Sequence, residues 1–174
     1  MKKLLVVIAQ KDFRDEELFE PLEEFDKNNI KYDIVSNEKG EHIGMLGAKV
    51  NTDLTINDIN NINDYDGIVI VGGTGSKEYL WNNEKLLNLV KLFNKEGKVV
   101  SAICISPAVL ANAEVLNNKK ATVYPSEDAI EQLKKGGISE LLEDGVVCDG
   151  NIITGKSPEF AKKFGEEIVK LLNK

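Results

Sequence analysis

Three short groups of residues in this 174-residue chain have the types and spacing to do chemistry. Cys104 stands between Ala102 and Ser106, with Pro107 next. A nucleophile on a sharp strand-to-helix turn needs small residues two places to either side, because the backbone arms approach closely there. Such a turn presents the thiol and aims the following N–H groups at the attacked atom. Gly72-Gly73-Thr74-Gly75 ends an apolar run, and its glycines let amides approach an oxyanion beside Cys104. Asp15-Glu16-Glu17 supplies carboxyls. A carboxyl carried into an apolar site keeps its proton to higher pH, and can donate to a thiolate or move a proton on a carbonyl substrate. Each group also has a plain structural reading. A cysteine in an apolar segment is commonly a small buried hydrophobe, acids at a helix start suit its dipole, and glycines make turns.

Rival chemistries fit less well. Gly73-Thr74-Gly75 opens a dinucleotide fingerprint, but the third glycine position is Glu78. Lys77 follows Ser76, not the second glycine of a phosphate loop. His42 is the one histidine, there is no paired-cysteine spacing, and neither a metal nor a cofactor is expected. The net charge of −7 and the scattered lysines argue against nucleic acid as a partner. Arg14 is the only arginine, so bidentate recognition of anions cannot be widespread. No apolar run is long enough to span a membrane, and two cysteines make no disulfide framework; a cytoplasmic location is expected. Cys148 reads as a buried structural thiol, and Cys104 as one whose pKa is depressed.

The surrounding pattern alternates strands and helices. Leu4 to Ala9, Lys31 to Val35, Asp66 to Val71 and Val99 to Ile103 are apolar runs suited to strands buried on both faces. Helical periodicity covers Asp15 to Asn28, with Pro21 expected to kink or break it near Glu20. Further helices are expected over Asn82 to Asn94, Pro107 to Ala111, Ser126 to Lys135 and Pro158 to Leu172. Ser36 to Asn51 reads as a loop or small hairpin, Thr55 to Ile59 as a capped turn, and Ala121 to Val123 as a short strand. Val146 to Thr154 reads as a hairpin around Asp149-Gly150-Asn151. The alternation implies one α/β domain over 1–174, with a mainly parallel sheet covered on both faces. In such sheets working residues gather at the carboxyl ends of strands, where all three groups fall.

Taken together, FRDEEL with downstream Pro21, IVIVGG, AIC followed by Pro107, TVYPS and DGNIITGKSP resemble the ThiJ/PfpI (DJ-one/PfpI) superfamily over nearly the whole chain. The resemblance implies a flavodoxin-like, class I glutamine amidotransferase-like three-layer sandwich with a nucleophile elbow, in a homodimer or larger homo-oligomer. It places the reactive cysteine on Cys104, the acid partner on Glu17, the oxyanion amides on Gly73 and Ile105, and an aromatic or histidine site position on Tyr124. It implies glyoxalase- or deglycase-type action on a small carbonyl substrate. Redox sensing or stress response through Cys104 oxidation is the alternative. A cysteine peptidase is disfavoured, because Ile105 stands where the protease-like branch has a histidine. Tyr124 likewise stands where another branch has one.

Overall fold

A parallel sheet is built by strands that are buried along their whole length. The computed structural model describes residues 1–174. The first half runs β1 (Lys3–Val7), α1 (Asp15–Lys27), β2 (Lys31–Ser36), β3 (Gly40–Ile43), β4 (Lys49–Thr52), β5 (Leu54–Thr55) and β6 (Gly67–Ile70). It continues through α2 (Gly75–Tyr79), α3 (Glu84–Lys95), β7 (Val99–Ile103), α4 (Pro107–Asn112), β8 (Lys120–Ala121) and α5 (Glu127–Lys135). The chain closes with β9 (Glu140–Leu141), β10 (Val146–Asp149), β11 (Ile152–Gly155) and α6 (Ala161–Leu172). Seven strands form one sheet in the order β10-β11-β7-β6-β1-β2-β5. Every pairing in it is parallel except β10 with β11, the hairpin around Asp149-Gly150-Asn151.

Two apolar layers cover the sheet. On one face Leu18, Leu22 and Phe25 of α1 join Phe164 and Ile168 of α6 against Leu4, Val6 and Ile103. On the other, Leu86, Val90 and Phe93 of α3 and Val109 and Leu110 of α4 pack against Leu5, Ile68 and Val100. Each fully buried side chain of this size stabilises the fold by about 1.5–3 kcal/mol. The result is the parallel sheet covered on both faces that the pattern implies, and the flavodoxin-like three-layer sandwich that the resemblance implies.

Several local expectations are corrected. α1 runs unbroken through Pro21. Its missing N–H leaves the Glu17 carbonyl without an i+4 donor, and tight packing of Pro21 against Gly165 of α6 holds the helix there. Of the two readings of Ser36 to Asn51, the small hairpin holds: β3 and β4 pair with each other and not with the main sheet. The strand near Ala121 is shorter than expected and pairs in parallel with β9, a two-residue strand with no readable signal. Cys148 is exposed, not buried. It lies on the edge strand β10, where the burial alternates and Val147 takes the inward place. No helix is long and apolar enough to cross a membrane.

Candidate active site

Cys104 is the first residue after β7, in the turn that leads into α4. Its φ is 66°, a left-handed conformation that a non-glycine side chain adopts only when its surroundings impose it. Both of its backbone groups are fixed: its N–H donates to the Gly155 carbonyl (2.9 Å), and its carbonyl accepts from the Tyr124 N–H (2.8 Å). The neighbouring strand and the 122–126 segment thus hold the turn from opposite sides. Ser106 adds a third tie. Its hydroxyl donates to the Val71 carbonyl at 2.7 Å, leaving it to accept from Ser76 at 2.7 Å. The small residue after the nucleophile therefore also fastens the elbow to the glycine loop.

That loop is shaped by contact. A side chain on Gly72 would collide with the Glu17 carboxyl, the Cys104 Cβ and the Ile103 carbonyl. Gly73 has φ 110° and lies against the backbone of Asp12 to Arg14, to which the Gly72 carbonyl is bonded through the Arg14 N–H at 2.9 Å. The N–H groups of Gly73 and Ile105 lie near enough to the Cys104 sulfur to pull its pKa down, although neither makes a full hydrogen bond to it. The structure thus brings four of the five sequence-chosen residues around one sulfur: Cys104, Glu17, Gly73 and Ile105. Tyr124 reaches the same cavity with its side chain substantially exposed, and its hydroxyl makes no bond to protein.

Glu17 is fully buried, at 0% exposure, and neither carboxyl oxygen has a partner in full hydrogen-bond geometry. Burial pushes its pKa up to about 8, so the carboxyl carries a proton at neutral pH. Cys104 departs from the expected depressed pKa. Burial first, then the charge of Glu17, push the thiol up to about 12, while the Gly73 and Ile105 amides pull the other way. The one nearby cation, Arg14, is bonded through Nε to Glu16 at 2.6 Å. The two groups titrate as a pair whose first proton leaves near pH 8. The resulting carboxylate is a base beside the thiol. The two amides face sulfur, so negative charge that passes to Cys104 is stabilised there.

The cavity over Cys104 has a volume of about 160 Å³. Ligand pockets usually span roughly 300–1,000 Å³, so this one suits a small molecule. Arg14 and Thr74 line it beside Ile105, and Met45 and Pro158 close it from two distant segments. Met45 is brought in by the β3–β4 turn, whose Leu46 and Ala48 N–H groups donate to the Asp15 carboxylate at 3.1 and 2.9 Å. His42 takes no part. It is buried in β3, where Nδ1 donates to the Gln10 carbonyl (3.0 Å) and Nε2 meets Thr52 Oγ1 (2.9 Å). No imidazole lines the cavity, and no cluster of potential metal ligands exists.

The model of the DJ-1/PfpI family matches residues 2–171. The chain belongs to that family. It is 60% identical to an uncharacterised protein of Methanocaldococcus jannaschii over 99% of this chain and 83% of that one. It is 32% identical to a deglycase of Pyrococcus horikoshii, covering 98% of this chain and 99% of the relative. Among solved structures, a ThiJ/PfpI domain protein from Brachyspira murdochii superimposes with a TM-score of 0.92 at 30% identity, over 98% of this chain and 96% of the other. This family member therefore has the family's sandwich, with Cys104 at its elbow and Ile105 directly after it.

Proposed function

We propose that the protein converts small α-oxoaldehydes, or the adducts they form with thiols and amines, to hydroxy acids through Cys104 and Glu17. The observation that carries this reading is the buried carboxyl beside a thiol in a cavity too small for a peptide and without an imidazole. The carboxylate form of Glu17 takes the thiol proton as sulfur bonds to the aldehyde carbon. The Gly73 and Ile105 amides, which line the cavity beside the sulfur, would hold the new oxyanion. Glu17 passes the thiol proton to that oxyanion, giving the hemithioacetal, and as a carboxylate again moves the former aldehyde C–H proton to the neighbouring ketone carbon through an enediol. That leaves a thioester on Cys104, and water hydrolyses it to release the α-hydroxy acid and restore the thiol. No oxidant is consumed: one carbon is oxidised as its neighbour is reduced, with one water added. Tyr124 can donate a hydrogen bond to a substrate oxygen. The relatives named deglycases support the same class of substrate.

Conversion of methylglyoxal to lactate by the pure protein, abolished by Cys104→Ser and retained by Cys148→Ser, is the expected result. Conversion that survives Cys104→Ser would locate the reaction elsewhere.

A second reading rests on the Glu17 proton, which has no other acceptor in full geometry. Peroxide would oxidise Cys104 to sulfinate, and the Glu17 carboxyl would donate to it. Mass spectrometry after mild peroxide should then show two added oxygens on Cys104. Glu17→Leu should change that product; identical oxidation in the variant would rule the stabilising role out.

A further inference from the structure

Arg14 is the chain's only arginine, and the elbow chemistry described above does not use it. It precedes α1 and lines the Cys104 cavity. Its one side-chain hydrogen bond is from Nε to Glu16, at 2.6 Å. The two terminal nitrogens, with four N–H donors between them, make no bond to protein. The Arg14 side chain is 30% exposed, so it is neither solvated freely on the surface nor spent in the core. Its backbone is fixed too, because its N–H is bonded to the Gly72 carbonyl in the floor of the site. The Arg14 side chain starts beside the oxyanion loop, with its Nε end held by Glu16 and its forked end free.

We infer that Arg14 is the cavity's carboxylate receptor, making the preferred substrate an α-oxoaldehyde, or an adduct of one, that carries a carboxylate near the reacting carbonyl. A planar guanidinium with both terminal nitrogens free matches the two oxygens of a carboxylate in a bidentate pair. The rest of the lining supplies no competing cation: Met45, Ile105 and Pro158 are apolar, and Thr74 and Tyr124 are uncharged. Glu17 is protonated at neutral pH and adds no repulsion there. Glu16 is the only carboxylate paired with Arg14, and it occupies Nε alone. This substrate preference rests on the reading of Cys104 as the reacting group in "Proposed function", but its charge test does not require turnover.

The test compares alkylation of Cys104 by iodoacetate and by iodoacetamide, in a Cys148→Ser background, followed by mass spectrometry. In both reactions the S–C bond forms as iodide leaves with the C–I electron pair, so the reagents differ chiefly in charge. Their rate ratio cancels any change in thiol exposure or ionisation. The ratio is expected to exceed that of free N-acetylcysteine by about five- to tenfold, the scale of one charge-assisted contact. Arg14→Gln should remove the excess, Arg14→Lys should keep part of it, and Glu16→Gln should enlarge it. A ratio equal to that of N-acetylcysteine, or one unmoved by Arg14→Gln, would overturn the assignment. A parallel assay offers the methylglyoxal hemithioacetals of N-acetylcysteine and of its amide. Preference for the acid, lost in Arg14→Gln, extends the assignment to catalysis. Turnover of neither, with the iodoacetate excess intact, would sink the proposed reaction while leaving the anion site standing.

Discussion

The two cysteines of this chain each face a glutamate, and the contrast shows what makes one of them suited to chemistry. Cys148 lies exposed on an edge strand, with its sulfur 3.9 Å from the Glu167 carboxylate. Lys163 and Lys170 pair with that carboxylate at 3.1 and 3.3 Å and hold its pKa down. Glu167 therefore stays charged and can only oppose a thiolate. Cys104 has a partner whose charge has been removed by burial, so Glu17 can give and take a proton near neutral pH. Both thiols are pushed up in pKa, Cys104 chiefly by its burial and Cys148 by the partial desolvation of its sulfur together with Glu167. The difference lies in the partner carboxyl, and in the two amides that face only Cys104.

The strongest way to break that contrast is to remove each carboxyl in turn. Glu17→Gln should lower kcat/KM for methylglyoxal by roughly 10²–10⁴-fold, the usual worth of a positioned acid–base group. Glu167→Gln should leave it unchanged. Equal losses in the two variants would mean that Glu17 is not the proton carrier.

Stability sharpens the same contrast. The folded pKa of Glu17, about 8, lies above its ordinary value of 4.5. Its favourable contribution is therefore complete below pH 4.5 and is lost as pH rises through 8. Glu17→Gln abolishes this slope. Between pH 5 and 8 the wild type should lose up to roughly 4 kcal/mol relative to the variant. Chemical denaturation across that range measures the slope, which is insensitive to any constant cost of burying the amide. Parallel curves would mean that Glu17 is already ionised at low pH.

A smaller effect is expected in thiol reactivity. Both glutamates raise the thiol beside them, so each variant should move the inflection of its own cysteine's alkylation rate to lower pH. For Glu17→Gln the shift starts from a thiol that burial holds up to about 12, and for Glu167→Gln from an exposed one. An upward shift at either cysteine would mean that its glutamate does not oppose the thiolate.

The parts of the site that follow from local rules were legible in the sequence. The fully buried β7, the small residues about Cys104 and Pro107 at the helix start suggest the elbow, and the family resemblance singles it out. The glycines after β6 mark where backbone must pass close to other atoms. What escaped depends on contacts distant in sequence. Met45 reaches the cavity because Asp15 binds the turn around it from about 30 positions away, and nothing in its own segment announces that. Pro21 would end an isolated helix, yet its packing with α6 outweighs the missing hydrogen bond. Val146-Val147-Cys148 reads as a uniformly apolar run, but on an edge strand only alternate positions turn inward. The expectation of a low thiol pKa failed for a related reason: burial by residues distant in sequence, and the Glu17 charge, raise the thiol by more than the Gly73 and Ile105 amides lower it.

The self-contained hairpin β3–β4 carries one wall of the cavity without joining the sheet that carries the elbow. Selectivity and reactivity are therefore inherited on separate pieces of chain. Changes in the turn around Met45 can retune which molecules enter while leaving the Cys104–Glu17 pair untouched, so members of this lineage can diverge in diet without reinventing their chemistry.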